Sequence, residues 1–124
     1  MDDQLVQPKV LLRRLIFVAI ATVLAVAAIA IAVRAYQMSD PYIQDVLAVE
    51  GDPVRGQAIF ETNCAGCHGK AGLGQVGPSL NHVAKRKSDY NLIHQVISGQ
   101  TPPMPKFQPK PEDMADLLQY LKKL

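Results

Sequence analysis

The run Cys64-Ala65-Gly66-Cys67-His68 holds two thiols separated by two residues and followed directly by an imidazole. This order is the attachment signature of a c-type haem. Each part has a chemical reason. The two thiols add across the two vinyl groups of the porphyrin and become thioethers. The two-residue gap sets the sulfurs about one helical turn apart, which matches the vinyl separation. The next residue projects under the ring, where the His68 imidazole can ligate iron. Cys64 and Cys67 are the only cysteines of the chain, so a Cys-rich zinc or iron–sulfur site cannot be built. A thioredoxin-like Cys-x-x-Cys needs a βαβ setting, and the flanks here read as helical. A zinc site would have to recruit distant His82 or His94. A disulfide across two residues would be strained and leaves the histidine unexplained.

The second candidate lies in Thr101-Pro102-Pro103-Met104-Pro105-Lys106-Phe107. Proline fixes φ and lacks an amide donor, and Pro105 pushes Met104 into an extended conformation. A short stiff loop suits a weak thioether–iron bond, because the fold holds the sulfur when iron changes charge. The other methionines have plainer readings: Met1 starts the chain, Met38 follows the apolar segment, and Met114 belongs to a helical stripe. Met104 is the candidate sixth ligand. His82 and His94 are the alternatives, as a bis-histidine site.

These residues need elements to position them. Asp52 and Pro53 read as N-cap and first position of a helix running toward Cys64. Gly56 and Phe60 share one of its faces, and Gly56 permits close approach of another helix. The partner is a helix over Pro111 to Leu124. Its Met114, Leu117, Leu118 and Leu121 repeat at i, i+3, i+4, i+7, and Tyr120 can lie against Gly56. Ser88 to Gly99 reads as another helix, with Leu92, Val96 and Ile97 inward. Gly69 to Pro78 is a glycine-rich loop without the Gly-Lys-Ser/Thr of a phosphate site, and a loop hugging the haem edge accounts for it. No strand pattern of useful length appears.

Upstream, residues 15–33 have Thr22 as their only polar member, bounded by Arg13-Arg14 and Arg34. At about 1.5 Å per residue such a helix nearly spans a hydrocarbon core of about 30 Å. The remaining chain is too small to surround a helix apolar all round. A cleaved signal peptide stays open as the rival, although its apolar region is usually about 7–15 residues. Basic Lys9, Arg13 and Arg14 precede the span, and acidic Asp40, Asp45, Glu50 and Asp52 follow it. The positive-inside rule puts the N-terminus in the cytoplasm and the rest across the membrane. The expected organisation is a cytoplasmic N-terminus at 1–14, a transmembrane anchor at 15–34, a linker with a short helix at 35–50, and a haem domain at 51–124. Asp40 and Pro41 start the short helix, with Ile43, Val46 and Leu47 on one face and Gly51 as stop. It packs on the domain, lies at the membrane, or serves as a spacer.

Residues 36–124 carry nine Lys/Arg against nine Asp/Glu. With neither a basic stripe nor a tryptophan, nucleic acid is not an expected partner. Lys85-Arg86-Lys87 reads as a solvated loop.

Taken together, these residues resemble the class I c-type cytochromes over about residues 50–124. The resemblance rests on Gly56 and Phe60, Cys64 to His68, Gly77-Pro78-Ser79-Leu80, Pro103 to Phe107, and Leu117 to Leu121. It implies a small all-α fold around one covalent haem c, with first and last helices crossing. It also implies that the Pro78 carbonyl holds the His68 ring N–H and that Leu80 packs on the haem. The anchor, the Asp40-Pro41-Tyr42 segment and the methionine loop are most similar to the membrane-anchored cyanobacterial cytochrome cM group.

The implied function is a membrane-anchored carrier of single electrons, not an enzyme, in a respiratory or photosynthetic chain. Its partners would be a redox donor and acceptor, either membrane complexes or small soluble carriers, with lipid around the anchor. The haem domain would be periplasmic or thylakoid-lumenal. Two other readings remain: a bound subunit of an oxidase or photosynthetic complex, and a haem enzyme or sensor with a labile sixth ligand.

Overall fold

The computed structural model describes residues 8–37 and 39–124. Residues 1–7, part of the expected segment 1–14, and Met38 lie outside the described residues. The chain divides into two units, Met1–Met38 and Ser39–Leu124.

Among the described residues the first unit contains one helix, α1 (Pro8–Gln37), of 30 residues. It is long and apolar enough to cross a membrane, with a mean hydropathy of 3.0 over its best window. It extends beyond the apolar run at both ends. Thr22 Oγ1 donates to the Val18 carbonyl at 2.8 Å, so the one polar side chain of that run is satisfied within the helix.

The second unit is all-helical: α2 (Pro41–Ala48), α3 (Pro53–Asn63), α4 (Ala65–His68), α5 (Val83–Arg86), α6 (Asp89–Ser98) and α7 (Pro111–Leu121). Among the described residues there is no strand. Local chemistry sets the starts. The Asp40 carboxylate accepts the Tyr42 and Ile43 N–H groups at 3.0 and 3.4 Å. Asp52 accepts the Val54 N–H at 2.8 Å, and Ser88 Oγ accepts the Asn91 N–H at 3.3 Å. Pro41, Pro53 and Pro111 take early helical positions where no N–H is required.

α3 and α7 meet at backbone range. A Cβ at Gly56 would overlap the Asp116 carbonyl, and one at Gly51 would overlap the Ala115 carbonyl. Phe60 is fully buried, and its ring meets Tyr120 at 5.2 Å between centroids. Met114, Leu117, Leu118 and Leu121 are all buried on α7, as their spacing predicts.

Several expectations shift. α2 is part of this unit and not a free spacer: Ile43 and Val46 are 2% and 1% exposed, and Tyr42 Oη donates to the Pro109 carbonyl at 2.9 Å. Leu47, expected on the same face as Ile43 and Val46, is 50% exposed. α2 ends at Ala48 with Val49 as cap, so Gly51 serves the α7 approach and not the stop. On α6, Leu92, Ile93 and Val96 are buried while Ile97 is only partly so. α7 ends at Leu121, and Lys122 beyond it pairs with Asp89 at 2.8 Å. Lys85 and Arg86 lie on α5, and Arg86 Nη2 donates to the Ser79 and Asn81 carbonyls at 3.2 and 3.1 Å. All three basic residues are exposed, as the solvated reading expects, but they stand on and beside a short helix and not in a loop, and Arg86 fastens the chain after Pro78.

Asp116 is the charged group inside the α3–α7 contact. Its carboxylate is nearly buried and accepts the Asp52 N–H at 2.6 Å and Arg55 Nε and Nη2 at 2.6 and 2.8 Å. The Arg55 hydrogen bonds hold its carboxyl below the usual carboxylate range, against the opposing effect of burial. A carboxylate with a depressed folded pKa stabilises the fold above its unfolded pKa of about 3.9, and that contribution is lost as pH falls through the folded value. Asp116→Asn is expected to destabilise the domain by about 2 kcal/mol at pH 7. The gap to the native protein should shrink in guanidinium melts below about pH 4. An equal gap at both pH values would mean that packing, and not charge, holds this contact.

Candidate haem site

The site grows from the end of α3. The Cys64 N–H donates to the Phe60 carbonyl at 2.8 Å and closes that helix. The Cys64 carbonyl then accepts the Cys67 and His68 N–H groups at 3.1 and 2.9 Å. The attachment segment is thus a single tight turn continuing α3. Cys64 is half-buried and Cys67 exposed, and both thiols are free. Burial, with the neighbouring Cys67 adding to it, pushes the Cys64 thiol up to about 11. A thioether carries no such titration.

His68 is 9% exposed. Its Nδ1 lies 2.8 Å from the Pro78 carbonyl oxygen. A carbonyl only accepts, so Nδ1 carries the proton and Nε2 keeps its lone pair for a metal. The glycine-rich loop enforces this pose. A Cβ at Gly77 would sit 2.8 Å from His68 Cε1 and 2.9 Å from Nδ1, so residue 77 has room for hydrogen only. The Gly77 N–H donates to the Cys67 carbonyl and the Gly74 N–H to the His68 carbonyl, both at 2.8 Å. The Leu80 N–H donates to the Gly72 carbonyl at 2.7 Å. The loop therefore wraps the histidine itself.

Leu80, Cys64, Met104 and Phe107 are partly buried apolar side chains packed against the core. The Met104 loop is fastened to α6. The Phe107 N–H donates to the Val96 carbonyl at 2.9 Å, and the Met104 N–H to the Thr101 carbonyl at 2.9 Å. Gln95 of α6 reaches the loop through its side chain, donating to Thr101 Oγ1 at 3.4 Å and to Met104 Sδ at 3.7 Å. The alternative ligands are placed differently. His82 is exposed in a left-handed conformation (φ 54°) ahead of α5. His94 stacks on Tyr90 at 5.7 Å between ring centroids.

Among the described residues, no group of three or more His, Cys, Asp or Glu could hold a bare metal ion. Iron within a porphyrin asks less of the protein, namely axial ligands and covalent anchors. Two thiols on one turn, an imidazole with Nε2 free, and a thioether on a fastened loop beside apolar side chains fit haem c.

Sequence reasoning missed Gln95, Arg55 and Asp116. Gln95 was detectable only as a polar residue beside the Leu92–Val96 stripe. Arg55 and Asp116 pair across 61 positions, beyond any local pattern.

The family model described as cytochrome C oxidase, cbb3-type, subunit III matches residues 51–121. A Synechocystis sp. protein named "Cytochrome c-553-like" is 52% identical over 104 residues, 84% of this chain and 99% of the relative. A "Cytochrome c" of Theileria annulata is 44% identical over 46 residues, 36% of this chain and 40% of that protein. The chain belongs to the class I c-type cytochromes. It is a cytochrome of electron transfer, and its family carries covalent haem c.

Proposed function

We propose that this protein is a membrane-anchored monohaem cytochrome that carries single electrons between redox partners and catalyses no bond change. When bound, haem c supplies a one-electron iron couple. Cys64 and Cys67 anchor it covalently. His68, held by Pro78, and Met104 would be its iron ligands. With both ligands supplied by the chain, the bound group would exchange single electrons and leave no open position for substrate. The observation that carries this reading is the His68 Nδ1–Pro78 bond at 2.8 Å, which fixes the ring and leaves Nε2 as the nitrogen for iron.

Residues 15–34 act as the anchor, with the N-terminus cytoplasmic and the haem domain periplasmic or thylakoid-lumenal. The apolar α1 and the charge asymmetry of its flanks support this. Partner contact is mainly apolar: Leu73 and Val76, on the loop after His68, are 67% and 73% exposed. Tethering confines both partners to one surface and raises their effective concentration.

Alkaline carbonate extraction followed by a redox titration tests both halves. The full chain is expected in the membrane pellet, titrating reversibly as one electron per chain and binding no carbon monoxide when reduced. Recovery in the wash with an N-terminus near Tyr36 would identify residues 1–35 as a cleaved signal. Carbon monoxide binding would favour the enzyme or sensor reading.

A further inference from the structure

One polar side chain of α6 reaches the Met104 sulfur. Gln95 Nε2 lies 3.7 Å from Sδ. A thioether sulfur only accepts, so the N–H end of the amide, and not its carbonyl, faces Met104. Both residues are half-buried, which limits competition from water. Gln95 itself is well held. Its main-chain carbonyl accepts the Gly99 N–H at 3.1 Å, and the main-chain carbonyl of Val96 accepts the Phe107 N–H at 2.9 Å. The loop over residues 99–107 is therefore tied to α6 by backbone at both ends, and the Gln95 amide ties its middle through Thr101 and Met104.

We propose that Gln95 is a positioning residue for the sixth ligand, its amide holding the Met104 sulfur in one orientation. The inference rests on the reading of Met104 as that ligand. A thioether sulfur has two lone pairs, and binding iron through one or the other gives opposite configurations at sulfur. A donor on one lone pair leaves the other for iron and disfavours the inverted form. It also keeps the sulfur in place when the iron bond breaks transiently, so outside ligands compete less well. Because this hydrogen bond is modest, the effect falls on ligand exchange and not on folding.

The haem-loaded full chain is compared with Gln95→Leu, which removes the donor, and Gln95→Asn, which keeps an amide one methylene too short. Imidazole binding to the ferric form and the Met104 methyl resonance are read, with helical circular dichroism as the fold control. Both variants are expected to bind imidazole about fivefold more tightly, the scale of one modest hydrogen bond, and to shift or broaden the methyl resonance. Unchanged imidazole binding and methyl resonance in either folded variant would overturn the proposal. So would an Asn variant that matches the native protein while the Leu variant does not, since polarity alone would then suffice. Failure of the Met104 reading looks different: the unmodified protein would lack an iron–sulfur charge-transfer band before Gln95 is touched.

Discussion

Ile43→Ala is expected to lower the melting temperature of the haem-loaded protein by about 10–20 °C, the equivalent of about 3 kcal/mol in a domain of this size. Ile43 is 2% exposed on α2, and α2 packs against α7 and α6. Truncation there removes buried methyl groups and leaves a cavity in a core that is small to begin with. The same reasoning sets where a soluble haem domain must start. The family model matches from residue 51, so α2 lies outside that match, yet the compact unit begins at Ser39. A domain cut at Gly51 would expose the faces of α6 and α7 that Ile43 and Val46 cover, and would lose the Tyr42–Pro109 bond. That bond is shielded: burial, reinforced by the charge of Asp113, pushes the Tyr42 hydroxyl up to about 12. Thermal melts of the two domains, begun at Ser39 and at Gly51, are expected to differ by at least the Ile43→Ala shift. Equal melting would return α2 to the role of spacer.

The attachment run was legible because its chemistry is local: two thiols and an imidazole must be adjacent to serve one ring. Gly56 and Tyr120 were legible because an amphipathic stripe and a mid-helix glycine each imply a close partner. α6 was read from one stripe. The structure also buries Ile93 and leaves Ile97 partly buried, and α6 meets α2 as well as α7, so the face that must be apolar is wider than one stripe. Gly51 sat where a helix stop is plausible, and only the path of α7 shows that its missing side chain makes room for the Ala115 carbonyl. Asp116 lies within a helix dominated by apolar burial, and its partner Arg55 sits on another helix. Such pairs are set by tertiary approach, and a periodicity count places an aspartate in solvent by default. Arg86 was hidden for the same reason, since its acceptors are backbone carbonyls of Ser79 and Asn81, which every residue possesses.

Met104→Ala is expected to open the iron. The ferric protein should lose its iron–sulfur charge-transfer band, the ferrous protein should bind one carbon monoxide per haem, and the reduction potential should fall. The sign follows from the ligand: a neutral thioether opposite histidine favours the reduced state, and its loss removes that preference. The surroundings of Met104 point the same way. Prolines flank it on both sides, and its loop is bonded to α6 through Val96 and Gln95. His82 and His94 are the ligands to exclude. His94 is engaged with Tyr90 and His82 is solvent-exposed, so His82→Ala and His94→Ala should each keep the native band. A band that persists in Met104→Ala would move the ligand elsewhere. Met114 would be the next methionine to test, although it is 1% exposed within the α7 stripe and would have to leave the core to reach iron. A band absent from the native protein, together with carbon monoxide binding to its reduced form, would instead favour a haem with an open or labile position, and with it the sensor or enzyme reading over the carrier.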